Sequence, residues 1–340
     1  MDRFLIVDGS ALLSSSYYGN LPASIKFAKT DEEKEKHFGE ILQTSTGEYT
    51  NAIYGFTQTL LKIMQYQDPK YIAFCFDKTR QTFRKRLYEG YKATRPAKPK
   101  PLSQQFVAME KMLANMGFKV FLSNEYEADD IAGSLAARFG GLPGINVTLM
   151  TKDFDYVQLL NQRKNVTLWM MQSGKGGDLL PALEETDHPD NVDELDEESA
   201  CKRYGLPSAL SVIEYKALAG DKSDNIPGVK GIGDLSAKKL IMHYKTINNL
   251  YADIDVKGVA IEDEWKDQLE LRKGNLKTLL AGREDAELSR KLATIKTDIL
   301  LGFQLEDFLT PNDFARIDRQ LAKYEMKSLQ IELARMAKTA

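Results

Sequence analysis

Carboxylates stand at or shortly after the ends of three of the apolar, strand-sized runs of this sequence. Four aspartates have this placement: Asp8, Asp77, Asp153 and Asp155. In an open sheet of parallel strands, the ligand crevice lies outside the carboxyl ends of the strands, so these acids are expected to meet at one edge. Carboxylates packed together repel and raise one another's pKa values unless a cation neutralises them. The pattern therefore predicts a cation site.

Two further acidic groups lie elsewhere in the chain. Asp221 and Asp224 stand three residues apart, and a predicted helix opens with Glu127, Asp129 and Asp130. Residues three apart share one face of a helix, which places Glu127 beside Asp130. Acidic residues are also favoured at helix N-termini, so capping accounts for one or two of them without a function.

The chemistry of these side chains favours a hard divalent cation. Mg²⁺ binds oxygen ligands and keeps several waters, which a cluster of carboxylates suits. The chain has three histidines, His37, His188 and His243, and none lies beside the acids. Cys75 and Cys201 are far apart and belong to no Cys/His cluster. Zinc and disulfides are therefore not expected.

A basic segment, residues 78–102, mixes cations with aromatic rings. Its only acid is Glu89, and its rings are Phe83, Tyr88 and Tyr91. Such a mixture suits a nucleic-acid strand, because cations neutralise phosphates and rings stack on bases. Taken alone, a charged run of this kind is more often a solvated loop. The cations are Lys78, Arg80, Arg84, Lys85, Arg86, Lys92, Arg95, Lys98 and Lys100.

A glycine-rich turn follows the paired aspartates Asp221 and Asp224. The sequence Gly228-Val-Lys-Gly-Ile-Gly233 lies between two predicted helices. Glycines let the backbone approach a phosphate closely, and a hairpin between helices grips duplex phosphates without reading bases. The residues predicted to contact DNA here are Gly228, Lys230, Gly231, Gly233 and Lys238.

Apolar runs alternating with helical patterns predict an α/β fold with a largely parallel sheet. The strands are predicted at 4–7, 71–76, 119–122, 147–150 and 166–170, and early helices at 52–65 and 127–139. After Cys201 the pattern is helical, at 208–219, 235–244, 265–281 and 284–294. We expect an α/β domain over 1–198, with an acidic surface insertion at 174–198, and a helical DNA-binding module over 199–340. A second insertion, 26–38, is predicted to form a short exposed helix.

Composition fits a cytosolic globular protein. The 340 residues are 43% hydrophobic and 28% charged, with a net charge of −3. No apolar run is long enough to span a membrane, and the N-terminus does not have the pattern of a signal peptide. The near-neutral charge alone argues against a generally basic, nucleic-acid-binding surface, but the basic and acidic residues are strongly segregated.

Seven stretches of the chain together resemble the flap endonuclease family, most closely the 5′-nuclease domain that precedes the polymerase in bacterial DNA polymerase I. They occur in the family's order along most of the chain. The stretches are Phe4-Leu-Ile-Val-Asp-Gly9, Ala73-Phe-Cys-Phe-Asp77, Phe83-Arg84, Tyr88-Glu-Gly-Tyr-Lys-Ala-Thr-Arg95, Glu125-Tyr-Glu-Ala-Asp-Asp130, Thr151-Lys-Asp-Phe-Asp155 and Gly220-Asp-Lys-Ser-Asp-Asn-Ile-Pro-Gly-Val-Lys-Gly-Ile-Gly233.

The resemblance implies a PIN-like nuclease with two divalent ions, Mg²⁺ or Mn²⁺, in a crown of carboxylates. It also implies that the basic segment forms a helical arch, in which Lys92, Arg95 and, with less support, Arg84 touch the scissile phosphate. The hairpin 228–233 is similar to the family's helix-three-turn-helix element, which often holds K⁺. The matching acids are Asp8, Asp77, Glu127, Asp129, Asp130, Asp153, Asp155, Asp221 and Asp224.

The sequence departs from the family pattern at three places. Ser15 stands where many members carry an arginine, so one phosphate contact is expected to be missing or supplied elsewhere. The stretches 26–38 and 174–198 are longer than usual. Only a short helical tail follows Leu309. No polymerase follows the nuclease region, and we therefore expect a stand-alone nuclease.

The resulting hypothesis is a 5′-3′ exonuclease or flap endonuclease that cuts DNA near single-strand/double-strand junctions in replication and repair. Its expected substrates are 5′ flaps, nicked or gapped duplexes and RNA–DNA primer junctions. We expect a monomer that works with a separate polymerase and ligase and binds no membrane. Two alternatives stay open: a PIN-type ribonuclease, which lacks the helical hairpin, and a non-catalytic junction-binding protein, which has no need for an intact set of acids.

Overall fold

A twisted sheet forms the centre of the first half of the chain. The structure is a computed structural model and describes residues 1–160, 165–172, 188–189 and 191–339. The strand order is β3-β2-β1-β4-β5-β6, and every pairing is parallel except that of β6 with β5. The predicted, mainly parallel sheet is confirmed. The strands are β1 Asp2–Asp8, β2 Tyr71–Asp77, β3 Lys119–Ser123, β4 Ile145–Thr151, β5 Val166–Met171 and β6 Val192–Leu195.

The edge strand β6 was not predicted from the sequence. It lies at the end of the predicted acidic insertion, 174–198, and most of that stretch is outside the described residues. Its four residues pair with β5 through Leu195 opposite Leu168 and Val192 opposite Met171. Only two of them are apolar, and alternation over four residues is too short to distinguish a strand from a loop.

Register brings the predicted acids to one edge of the sheet. Asp8, the last residue of β1, lies opposite Cys75 of β2, and Val7 lies opposite Met150 of β4. Asp77 therefore extends just beyond Asp8, on the same edge. The central strands are buried on both faces, as expected for a parallel sheet covered by helices.

Helices cover both faces of the sheet and make up most of the remaining chain. Predicted helix 265–281 is in fact two helices, because Glu270 and Gly274 both adopt left-handed backbone conformations between them. The helices are α1 Gly9–Gly19, α2 Ala23–Lys26, α3 Asp31–Lys36, α4 Asn51–Tyr66, α5 Phe83–Leu87, α6 Lys100–Met116, α7 Ala128–Phe139, α8 Glu197–Tyr204, α9 Ser211–Ala219, α10 Asp234–Tyr244, α11 Ile247–Lys257, α12 Ile261–Leu269, α13 Asn275–Ala281, α14 Arg283–Ala293, α15 Phe314–Lys323 and α16 Lys327–Thr339.

The predicted exposed helix in the stretch 26–38 is confirmed as α3. Thr30 caps this helix by accepting a hydrogen bond from Glu33 N, and none of its residues is buried. The basic segment 78–102 contains the five-residue helix α5, followed by turns, and then the first residues of α6. None of the described helices has the length and hydropathy needed to cross a membrane.

The three largest apolar clusters of the described residues organise the packing. One covers the sheet face under α1, α4 and α6, and a second covers the opposite face under α7. The third lies inside the helical region and centres on α10–α12, with Trp265 among its largest side chains. Ile317 and Leu321 of α15 and Leu333 of α16 join the first cluster. The chain therefore returns to the sheet after the helical region, and the domain boundary at 198/199 stays a prediction.

The loop between α9 and α10 depends on two glycines in contact. Gly220 and Gly228 both have positive φ, and Asp221 pairs with Ile226 between them. A Cβ on Gly228 would lie 2.3 Å from the backbone nitrogen of Gly220. This crossing fixes the path of the chain between Asp224 and the hairpin.

We predict that Gly228→Ala destabilises the protein by about 1 to 3 kcal/mol, because alanine is strained at positive φ and its Cβ meets backbone atoms. Gly302→Ala is the matched control, since nothing lies within 4 Å of a Cβ there. Urea denaturation followed by circular dichroism measures both variants. Equal stability of the two variants contradicts the close-contact explanation.

Candidate active site

Asp8 is a buried acid at the sheet edge. It follows β1 and caps α1, with Oδ1 accepting a hydrogen bond from Ala11 N at 2.9 Å and Oδ2 accepting one from Thr151 Oγ1 at 2.8 Å. Its side chain is almost enclosed, with 7% of the residue exposed. Burial and the neighbouring charges of Asp77 and Asp153 raise the pKa of Asp8 to about 7. The site thus gathers negative charge around Asp8.

Asp77 and Asp153 complete this group, which we call the strand-end acids. Asp77 Oδ1 accepts a hydrogen bond from Ala128 N at 2.9 Å, at the start of α7. Asp153 Oδ1 accepts one from Asp155 N at 2.9 Å. All three strand-end acids line one open cavity of about 400 Å³. The sequence prediction that these acids meet at one edge agrees with this arrangement.

The acids of α7, Glu127, Asp129 and Asp130, surround a buried arginine. Arg84 Nη1 and Nη2 each donate to one oxygen of Asp130 at 2.7 Å, while its Nε donates to Leu292 O at 2.9 Å. Only 1% of Arg84 is exposed. Burial acts to lower the pKa of Arg84, but the carboxylates outweigh burial and raise it.

This geometry corrects two expectations. The phosphate contact expected of Arg84 does not fit, because the guanidinium is enclosed by protein groups and also donates to Thr294 O at 3.0 Å. Asp130 is fully buried, and its oxygens also accept hydrogen bonds from Glu127 N and Lys296 N. Asp130 therefore has the surroundings of a residue that positions Arg84, rather than those of a metal ligand.

Lys92 and Arg95 of the basic segment lie beside the acids of the site. Lys92 Nζ donates to Glu127 Oε2 at 2.6 Å, and Arg95 forms an ion pair with Asp224. The backbone nitrogen of Lys92, at a φ of 53°, donates to Asp224 O at 2.7 Å. Burial acts to lower the pKa of Lys92, but Glu127 and Asp224 outweigh it and raise the pKa.

Tyr91 does not have the position expected of a stacking residue. It is buried, with 3% exposed, and its hydroxyl donates to Glu127 at 3.0 Å and lies 3.2 Å from Asp224. Phe83 and Tyr88 are half-buried. Phe83 has Arg84 over its ring and Tyr126 beside it, so part of this ring is used in packing. The prediction that Tyr91 stacks on a base is therefore wrong.

Lys216 belongs to the site although its role was not predicted from the sequence. It lies on α9 and forms ion pairs with Asp155 and Asp221. Burial and Asp153 raise the pKa of Asp155 to about 7, while Lys216 acts in the opposite direction. The sequence signal was its place five residues before Asp221. Only the tertiary structure brings it to Asp155.

The hairpin presents some of its predicted DNA-contacting residues to solvent. Lys230, Gly231 and Gly233 are exposed. Lys238 is half-buried, pairs with Asp234 at 3.3 Å and lies over the ring of Tyr215. Gly228 is buried against Gly220. Glycine is needed at this position because of the close packing, and not because of a phosphate contact.

The nine acids thus form three groups and not one crown. The strand-end acids surround Asp8, the α7 acids surround Arg84, and the remaining three, Asp155, Asp221 and Asp224, which we call the loop acids, pair with Lys216 and Arg95. Within the described parts of the chain, no group of three or more His, Cys, Asp or Glu side chains has the geometry of a metal site. That the nine acids together hold two metal ions stays a prediction.

The strand-end acids nevertheless have the chemistry to hold a hard divalent cation. Their ligand atoms are all oxygens, and the charges acting on Asp8 are other carboxylates, Asp77 and Asp153. A cation among them removes the repulsion that raises the pKa of Asp8. We call the strand-end acids the acidic floor of the site. A second cavity of about 400 Å³ lies beside this floor and shares Asp77 with the first cavity. Its basic wall consists of Lys78, Arg80, Lys92, Arg95 and Lys98.

Acids that can hold a cation, beside basic side chains that can hold a phosphate, suit phosphodiester cleavage. The family to which the chain belongs indicates which kind of protein this is. Residues 3–194 match the family of the 5′-3′ exonuclease N-terminal, resolvase-like domain, and residues 208–316 match the 5′-3′ exonuclease C-terminal, SAM-fold domain. The chain belongs to the 5′-3′ exonuclease family. The resemblance inferred from the seven motifs is confirmed.

Individual relatives agree with this assignment. The chain is 36% identical to DNA polymerase I of Caldicellulosiruptor bescii over 289 residues, which cover 85% of this chain and 30% of the polymerase. It therefore spans less than a third of such polymerases. It is 30% identical to the 5′-3′ exonuclease of Bacillus subtilis over 336 residues, covering 98% of this chain and 97% of the relative.

The fold is shared with a solved flap endonuclease. The bacteriophage T5 enzyme, in a pseudo-enzyme-product complex with DNA and metal ions, superposes with a TM-score of 0.56 at 18% identity, covering 99% of both chains. At this identity the similarity establishes the fold alone. It agrees with a sheet domain joined to a helical module.

We predict that Arg84→Met destabilises the protein by about 3 to 5 kcal/mol, because it leaves the buried Asp130 carboxylate without its cation. Arg86→Met is the matched control. Arg86 belongs to the same helix but is exposed and pairs with Glu125 at the surface, where a pair contributes less than about 1 kcal/mol. Urea denaturation compares the two variants. Similar losses in both contradict the structural role of Arg84.

Proposed function

We propose that this chain is a divalent-metal-dependent 5′-nuclease that hydrolyses DNA phosphodiester bonds near junctions of single and double strand. One observation supports this most: the strand-end acids lie beneath the Lys92 and Arg95 wall, on the fold of the 5′-3′ exonuclease family. Its substrates in this proposal are 5′ flaps, nicked or gapped duplexes and primer junctions. A monomeric state, a cytoplasmic location and a separate polymerase and ligase belong to the same proposal.

Asp8, Asp77 and Asp153 are the residues proposed to hold a Mg²⁺ or Mn²⁺ ion. Such an ion activates water as a nucleophile and stabilises the leaving oxygen. The acids that would hold a second ion are paired with Lys92, Arg95 and Lys216 in this structure. Those cations must therefore exchange partners, and the phosphate of the substrate is the natural new partner for Lys92 and Arg95.

The chain's own cations orient the substrate in this proposal. Lys92 and Arg95 stand at the border of the acidic floor, where they can bind the scissile phosphate and counter the repulsion between DNA and the carboxylates. Lys230 and the exposed glycines of the hairpin bind downstream duplex through its phosphates, with K⁺ as a further proposed ligand of the hairpin. Contacts of this kind give binding that is sensitive to salt and weakly dependent on sequence.

A labelled 5′-flap DNA tests this proposal. We predict cleavage near the junction with Mg²⁺ or Mn²⁺ and none with EDTA. Asp153→Asn and Asp8→Asn should each slow single-turnover cleavage by about 100-fold or more, because each removes a charged metal ligand. DNA binding should be retained, since the phosphate contacts lie elsewhere.

Asp263→Asn is the control for this experiment, because Asp263 is exposed on α12, away from the sheet edge. Full cleavage by both strand-end variants would defeat the assignment of the metal ligands. Preferential cleavage of unstructured RNA over flap DNA would instead favour a PIN-type ribonuclease.

The pKa of Asp8 predicts how metal binding depends on pH. With its pKa raised to about 7, Asp8 is largely protonated below pH 7 and must release the proton before it can hold an ion. We predict that Mn²⁺ affinity falls about tenfold per pH unit as the pH is lowered below 7. Calorimetry in buffers of different ionisation enthalpy measures the proton released.

Asp8→Asn provides the control, because this variant binds Mn²⁺ more weakly and loses the proton release that belongs to Asp8. An Mn²⁺ affinity that is unchanged between pH 6 and pH 8 in the unmodified protein speaks against Asp8 as a ligand.

A further inference from the structure

A larger cavity, of about 700 Å³, lies next to the proposed active site. It is enclosed by the first helices of the chain on one side and by residues 96–100 on the other. Its volume is within the range that ligand pockets occupy. Its apolar lining includes Tyr17, Tyr18, Leu21, Ile25 and Phe38. Part of the wall therefore comes from the stretch 26–38, to which no role was assigned.

The lining combines rings with cations. Tyr18 is 54% exposed and its ring packs edge-on against that of Tyr17, with 5.1 Å between the centroids. Four lysines reach the cavity against two acids: Lys26, Lys34, Lys98 and Lys100 against Asp31 and Glu35. Exposed rings bordered by cations suit an unpaired nucleotide, whose base can stack while its phosphate is neutralised.

The cavity adjoins the cleft that holds the strand-end acids. Lys98 lines all three cavities: this one, the one with the strand-end acids and the one with the Lys92 and Arg95 wall. Ala97 lines this cavity and the basic cleft. A strand bound across the acidic floor therefore has a direct path past Lys98 into the larger cavity.

The opposite side of the cleft leads to the hairpin. Arg95 Nε donates to Ser223 O at 3.1 Å, and Ser223 belongs to the loop that continues into the turn 228–233. Arg95 thus connects the cleft to the loop that precedes the hairpin, and Lys98 connects it to the larger cavity. With duplex held at the hairpin, the part of the substrate that reaches the cavity is the part beyond the cleavage point.

We propose that this cavity is a binding site for an unpaired nucleotide of the 5′ strand, with its base on Tyr18 and its phosphate near Lys98 and Lys100. This inference rests on the proposed nuclease function and deepens it. It gives the stretch 26–38 the role of one wall of the subsite.

Fluorescence of 2-aminopurine, placed at the first unpaired position of a 5′ flap, tests the proposal on the full chain in EDTA. Stacking on an aromatic ring is expected to quench the probe when the unmodified protein binds. Tyr18→Ala should lose most of this quenching and bind the flap DNA about fivefold or more weakly. Its affinity for a nicked duplex without a flap should not change.

Tyr66→Ala is the matched control, because Tyr66 is also an exposed tyrosine but lies beside Glu332 and Arg335, in a separate hollow. It should behave as the unmodified protein does. Lys100→Ala is a second variant that keeps the ring: quenching should remain, while the dependence of flap binding on salt should weaken by about one phosphate contact.

Absence of quenching on binding, or equal flap affinities for Tyr18→Ala and Tyr66→Ala, would overturn the inference. These readouts do not depend on cleavage. If the unmodified protein cuts the flap with Mg²⁺ and Tyr18→Ala gives unchanged quenching, the subsite is wrong and the nuclease proposal stands. If nothing is cut with Mg²⁺ or Mn²⁺, the nuclease proposal itself fails.

Discussion

Mutual repulsion among carboxylates is the constraint on which this structure depends. Parallel strands that end in aspartate, together with the start of α7 and the loop after α9, bring nine acids to one edge of the sheet. Charges in such surroundings need cations or protons. The chain provides cations of its own for two groups, Arg84 for the α7 acids and Lys216 with Arg95 for the loop acids. Among the strand-end acids, burial and the charges of Asp77 and Asp153 raise the pKa of Asp8, and a cation bound beside Asp8 removes that repulsion.

The same ion pairs join parts of the chain that are distant in sequence. Arg84 connects the basic segment to α7 and, through Leu292 O and Thr294 O, to the end of α14. Asn225 Nδ2 donates to Gly90 O at 2.7 Å, next to the Arg95 and Asp224 pair. The basic wall is therefore held against the loop acids by several contacts at once. When Lys92 and Arg95 bind a substrate phosphate instead of these acids, the acids lose their cations. The charge of the loop and the position of the basic wall then change together.

Much of the fold could be predicted from the sequence because its signals are local. Buried strands such as 71–76 are continuous apolar runs, and helices such as 127–139 have clear periodicity, so both were found within about one or two residues. The edge strand β6 and the break at Glu270 could not be found in the same way. The first is too short for periodicity, and the second begins at Glu270, which adopts a left-handed conformation although it is neither glycine nor asparagine.

The site was predictable in its residue types but not in its pairings. Acids that follow strands predict a charged edge of the sheet. The sequence alone does not predict that Arg84 pairs with Asp130, or that the Tyr91 hydroxyl points inward to Glu127. Ser15 shows the same limit. Its hydroxyl donates to Ala11 O within α1, so it offers no cation to a phosphate. Lys98, in contrast, lies where the three cavities meet and packs over the ring of Phe106. Burial lowers the pKa of Lys98, and an anion bound there counteracts that shift. The positive charge expected from an arginine at position 15 can therefore come from a residue 83 positions later in the chain.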